Sequence, residues 1–274
     1  MKTKFFAYAV ISLFLFSVQA QESNAPAFGK GLFNLVGKDS TWTMKIGTRM
    51  QFLTIAEWSE DDNGGYGDPE QNFLIRRARL KFDGFAYSPK LKYKIELGLS
   101  NRDISGASEF TRNTPRYILD AVVMWNFYGN FELWAGQTKL PGNIERVISS
   151  GNLQQVDRSL VNSRFNIDRD VGFQLRHHFN LSENFLVREK FAFSQGEGRN
   201  VTEGNLGGHQ YTGRLEFLPF GKFQSKGDYS GSDLKREAKP KLMFAVNYDI
   251  NKDAVKTRSN LGSYMRNDVG LYET

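Results

Sequence analysis

The sequence predicts an all-β chain folded as a transmembrane antiparallel β-barrel, and three observations carry that expectation. Its segments alternate apolar and polar residues with period two over stretches longer than a soluble strand needs. Aromatic residues stand at the ends of the apolar faces, and short connections alternate with long ones. No run after residue 20 has the length and hydropathy of a membrane helix. A composition of 14% aromatic residues with 26 glycines and a mean hydropathy of -0.48 fits a sheet whose two faces average out. A soluble exported β-sandwich would alternate as well and stands as the alternative.

At the N-terminus, Lys2 and Lys4 precede an apolar run from Phe5 to Val18 and a small-residue site at Val18-Gln19-Ala20, the pattern of a cleaved secretory signal over residues 1–20. The run is about 14 residues, short of the roughly 20 that a helical span requires. Residues 21–40 then read as a periplasmic lead-in and 41–274 as barrel. The chain has no cysteine, so neither a lipoprotein anchor nor a disulfide framework is available. Without Lys2 and Lys4 the formal charge of +6 falls by two. That is too little to argue for nucleic acid, and no basic run is interleaved with aromatics.

The first strand runs from Trp42 to Trp58, with Met44, Ile46, Met50 and Phe52 on one face and Lys45, Arg49, Gln51 and Glu57 on the other. Such a segment exceeds the roughly 9–11 residues that a tilted membrane strand needs. In 90–100, Leu91, Tyr93, Ile95, Leu97 and Leu99 oppose Lys90, Lys92, Lys94 and Glu96. In 116–127, Tyr117, Leu119, Ala121, Val123, Trp125 and Phe127 oppose Arg116, Asp120 and Asn126, with Ile118, Val122 and Met124 diluting the polar face. Segments 131–139, 169–180, 185–195, 209–218 and 241–250 complete a count of about nine strands with no convincing helix. Tight links fall at Ser88-Pro89, Gly129-Asn130 and 181–184; long ones fall at 59–72, 101–115, 140–168 and 196–208. That is an antiparallel meander with short periplasmic turns and longer external loops. The stretch 219–240 is long where a short turn is due.

One segment, FLIRRARLKF at 73–82, breaks its own alternation. If Arg76 and Arg77 share one pleat as a β-bulge, Phe73, Ile75, Ala78, Leu80, Phe82 and Gly84 form an unbroken outer face. Leu74, Arg76, Arg77, Arg79, Lys81 and Asp83 then look inward. Without the bulge a guanidinium faces lipid, at roughly 2–4 kcal/mol near the midplane. The bulge gathers Arg76, Arg77, Arg79 and Lys81 on one wall beside Lys90, Lys92 and Lys94, the lining expected of an anion or phosphate pathway. Forked guanidinium donors suit phosphate oxygens. A solvated basic face is the plainer reading.

The long link 140–168 can fold into the lumen and narrow it. Arg146, Arg158 and Arg164 are the cations it brings; Glu145 and Asp157 precede two of them, either orienting or neutralising them. No enzyme is expected: His177 and His178 are adjacent on a strand, His209 stands alone, and no serine sits in a nucleophile motif. The histidines lack metal-ligand spacing, so neither a metal nor a cofactor is expected.

FLIRRARLKFDGF, KLKYKIELGLS, LDAVVMWNF and WAGQTKLPGNIERVISSGNLQQVDRSLVNSRFNIDRDVGFQL resemble the phosphate-selective porin O and P family of the bacterial outer membrane, over most of 41–250. The resemblance implies a 16-stranded barrel, usually trimeric, in the outer membrane of a Gram-negative bacterium, passing anions such as phosphate or polyphosphate passively. It also implies that Arg76, Arg77 and Arg79 line the constriction, joined by Arg146, Ser149, Ser150 and Arg158 of the inward loop. Arg79 stands where phosphate-selective members carry an aromatic residue and Gly98 where they carry an acidic one, so anion preference carries over better than phosphate specificity. Nine strands cannot close an even-numbered barrel, and unpaired edges in hydrocarbon are not viable. The expectation is therefore the front part of a longer porin.

Overall fold

The computed structural model describes residues 32–60, 62, 64–202 and 206–266. The signal segment 1–20 and the first part of the lead-in lie outside them. Ten strands form one antiparallel sheet in chain order: β1 (Phe33–Val36), β2 (Trp42–Glu57), β3 (Glu70–Ala86), β4 (Ser88–Gly98), β5 (Ile118–Tyr128), β6 (Phe131–Lys139), β7 (Arg169–Asn180), β8 (Leu186–Ser194), β9 (Gln210–Leu218) and β10 (Phe244–Asn251). A separate hairpin, β11 (Lys256–Arg258) with β12 (Leu261–Tyr264), follows. The nine expected strands are β2 to β10. The tenth, β1, and the hairpin are too short to show an alternating pattern in sequence. The sheet is open, with β1 and β10 as its edges. Among the described residues no helix is long and apolar enough to cross a membrane.

The sheet is turned inside out relative to a soluble protein. Phe52 on β2 and Phe73 on β3 are 75% and 77% exposed, and Met50, Ile75, Trp125, Phe173 and Val246 are exposed too. Asp120, Arg169, Thr212, Arg214 and Glu216 are buried. Among the described residues no second sheet packs on the apolar face, so the sandwich alternative is overturned. Bare apolar area of this kind must meet lipid or protein. Loop 140–168 lies against the polar face. It reaches β2 through the Arg49 bonds to Ser149 and Ser150 and reaches β9 through Arg214, whose Nη1 donates to the Gly142 carbonyl at 2.7 Å. The sheet therefore wraps around it.

Two bulges set which side chains look inward. Gln51 pairs with Arg77 and Phe52 with Ile75, so Arg76 is the extra residue, as the charge pattern predicts. A second bulge follows from Glu96 pairing with Asp120 but Leu97 with Ile118. It corrects two expectations: Ile118 is exposed on the outer face, and Leu119 is buried. The β3–β4 turn also shifts. Tyr87 takes a left-handed φ of 62° at the corner, and Ser88 and Pro89 already belong to β4, where a register irregularity tolerates a proline without an N–H.

Helical turns appear where none was expected. They are α1 (Asn101–Ile104), α2 (Ile144–Val147) and α3 (Leu160–Arg164), each four or five residues long. The Asn143 side chain accepts from the Arg146 N–H, and Ser159 accepts from Asn162, so both turns of the loop carry N-caps. The anomalous segment after β9 folds into the same concave face. Tyr229 Oη donates to Glu216 at 2.6 Å, Asp228 pairs with Arg188, and the Gly231 N–H donates to the Asn152 carbonyl of the long loop at 2.6 Å.

Candidate functional site

Register places the site on β2 and β3. Arg49 lies opposite Arg79 and Gln51 opposite Arg77, all on the inward face, and the bulge adds Arg76 beside them. Four guanidinium groups on one small wall repel one another, and each is held in a different way. Arg79 is gripped by Asp103 of α1, with Nε to Oδ2 at 2.8 Å and Nη2 to Oδ1 at 2.6 Å, and also meets Glu96 at 3.1 Å. Arg77 donates to Gln51 Oε1 at 3.0 Å. Arg76, only 4% exposed, pairs with Asp157 of the long loop. Arg49 donates to Ser150 Oγ at 2.8 Å and to Ser149 Oγ at 3.3 Å.

The loop is pinned from the opposite wall. Lys139, at the end of β6, donates to the carbonyls of Arg146, Val147 and Ile148 at 2.8, 3.2 and 3.0 Å, the C-terminal side of α2, where a cation is favoured. Arg158 donates to the Glu145 and Ile148 carbonyls at 2.8 and 3.0 Å. Arg146 pairs with Asp168, and Arg169 bridges Asp168 and Asp120. Burial pushes the Asp168 carboxyl up, but Arg146 and Arg169 outweigh it and hold the group well below the usual carboxylate range. Asp103 is lowered in the same way, with Arg79 overcoming burial. Burial, then Arg146, lowers Arg158 to about 10, and burial lowers Arg199 to about 10.

These groups enclose a cavity of about 170 Å³ whose lining holds eight arginines, Lys139 and two carboxylates, Asp103 and Asp168. Arg76 Nε and Nη1, Arg49 Nε and Arg199 Nη1 are buried without a hydrogen-bond partner in the protein. A buried donor left unpaired costs about 1–3 kcal/mol, more when charged, so these guanidinium groups are held in place at a cost. Residues 57–270 match the family model for phosphate-selective porin O and P. The chain belongs to that family. No curated protein sequence matches it. Membership implies an outer-membrane channel rather than an enzyme.

Of the pathway residues expected from sequence, the porin brings Arg76, Arg77, Arg79, Arg146, Ser150 and Arg158 to the cavity. Ser149 is held one step away by Arg49. Lys94 lies in an adjoining chamber, bound to Asp120 at 2.5 Å and Glu96 at 2.9 Å. Lys81, Lys90 and Lys92 are not part of the lining: Lys81 pairs with Asp83 at 2.8 Å, and the other two are exposed toward the short-turn end. Arg164 is exposed as well. Sequence reasoning missed Arg49, Arg102, Lys139, Arg169 and Arg199. Arg49 was visible as an inward residue of β2, and its register opposite Arg79 is the signal that would have found it. The other four sit at strand ends or in loops, where alternation says nothing.

Proposed function

We propose that this porin passes anions, phosphate and polyphosphate among them, by passive diffusion across the outer membrane of a Gram-negative bacterium. Loop 140–168 is its constriction, and the porin works as a homotrimer, as the family resemblance implies. The observation that carries the reading is the excess of basic over acidic side chains around the cavity. In a low-dielectric wall such a lining concentrates anions and exchanges part of their hydration for fixed donors. Arg76, Arg77 and Arg79 form one side of the passage; Arg146, Ser149, Ser150 and Arg158 form the other. Lys81, Lys90, Lys92 and Lys94 extend the positive wall along β3 and β4 toward the short-turn side. The test is a planar-bilayer recording under a potassium chloride gradient. The reversal potential should lie toward the chloride equilibrium value, and added phosphate should reduce the chloride current. A reversal potential at zero or toward potassium overturns the proposal.

A further inference from the structure

A second, larger chamber of about 540 Å³ adjoins the arginine cavity and shares Arg79, Lys139, Ser150 and Arg169 with it. Its walls differ in kind. Trp134 of β6 presents its ring there, fixed by a hydrogen bond from Nε1 to Glu132 Oε2 at 2.9 Å and by the Arg176 guanidinium stacked 3.5 Å from the ring centroid. Leu140, Pro141 and Val147 add aliphatic surface, and Tyr229 closes the side toward the short turns. A hydrated inorganic ion gains nothing from such surface. Pockets for small organic ligands join an apolar wall of this volume to a few placed polar groups.

The placed groups are mostly cationic: eight Arg and Lys side chains line the chamber against three carboxylates, Glu96, Asp120 and Glu132. Arg176 donates to Gln174 Oε1 at 2.6 Å rather than to a carboxylate, so its charge is not paired by contact. Lys226 lines the chamber from the segment after β9 and makes no ion pair among the described residues. By contrast, Arg188 and Lys190 are committed to Glu216 and Asp228. Unpaired cations beside a fixed indole and three aliphatic side chains make a site for a molecule that is acidic at one end and flat and apolar at the other.

We propose that this chamber binds organic anions that join an aromatic ring to an acidic group, a carboxylate or a phosphate ester, before or after they pass the arginine cavity. This rests on the porin reading, in which the chamber is part of the lumen. The test compares paired blockers of the chloride current in planar bilayers: benzoate against acetate, and phenyl phosphate against inorganic phosphate. Each aromatic member should half-block at about one tenth the concentration of its partner, the gain of one ring contact. Trp134→Ala should bring both ratios close to one, and Trp134→Phe should keep most of the difference. If Trp134→Ala fails to fold, Val147→Phe, on the loop, fills the chamber and should collapse the ratios instead. A gain in the benzoate pair alone assigns the site to carboxylates, and in the phenyl phosphate pair alone to phosphate esters. Equal blocking within both pairs, or ratios unchanged in the variants, overturns the proposal. If the reconstituted protein gives no current, its open ten-stranded sheet accounts for that without overturning the porin reading. The chamber is then judged by calorimetric titration of the folded protein, where benzoate and phenyl phosphate binding no tighter than acetate and phosphate overturns it.

Discussion

Arg77 offers the cleanest measurement of what one charge contributes. Its hydrogen bond goes to the neutral Gln51, so Arg77→Gln removes a cation from the cavity wall without stranding a carboxylate. Two unit charges roughly 5 Å apart interact by about 0.8 kcal/mol at the dielectric of water and about 3 kcal/mol at an effective value near 20. A wet passage between low-dielectric walls falls between these limits. The half-blocking concentration of phosphate on chloride current should therefore rise by roughly 4- to 150-fold. Bilayer recordings with stepped phosphate measure it directly, and circular dichroism with heat-modifiable gel mobility checks that the barrel still forms. A folded Arg77→Gln channel whose phosphate block stays within about twofold of the parent would refute the electrostatic argument. Arg79→Gln is the informative contrast, because it leaves Asp103 and Glu96 without their shared cation.

Breaking that half-buried network should destabilise the fold by about 3–5 kcal/mol as well as weaken phosphate block, seen as a lower denaturant midpoint in detergent. Deleting Arg76 should be tolerated in folding, since Ile75 and Arg77 then alternate without a bulge. The loop loses its Asp157 tether, so current noise should rise while gel mobility stays that of a folded barrel. Ile75→Lys puts an ammonium on the exposed apolar face and should cost about 2–4 kcal/mol if the site lies near the bilayer midplane, measured by unfolding in lipid. Arg158 and Arg199 are cationic below their lowered pKa values, so chloride preference should hold at neutral pH and decline as pH rises through about 10. Reversal potentials taken across that range check the sign.

The features that were legible in sequence are those that lipid enforces. The Arg76 bulge could be read because a misplaced guanidinium on an apolar face is expensive and conspicuous. The bulge at Leu119 could not, since Ile118 and Leu119 are both apolar and either can face lipid. Cavity membership followed the same rule. Arg77 and Arg79 declare themselves by alternation, whereas Arg169 joins because β5 brings Asp120 to it across the sheet. Glu145 and Asp157 illustrate the limit of neighbour arguments. Asp157 serves Arg76, 81 residues away, rather than Arg158, and the Glu145 carboxylate accepts from the Ser159 N–H and Oγ at 2.6 Å each. Adjacent charges in a loop need not be partners, because side chains there point wherever tertiary contacts place them.

The bond between Gly231 and Asn152 joins a segment entering from the short-turn mouth to one entering from the long-loop mouth. The hollow is thus cross-braced, with a strut anchored to β2, β3, β6 and β9. A wall held by such a strut resists flattening or dilating as bulky solutes press on it. The width of this hollow is therefore a fixed dimension, one that osmotic stress and temperature should alter only when the brace itself lets go.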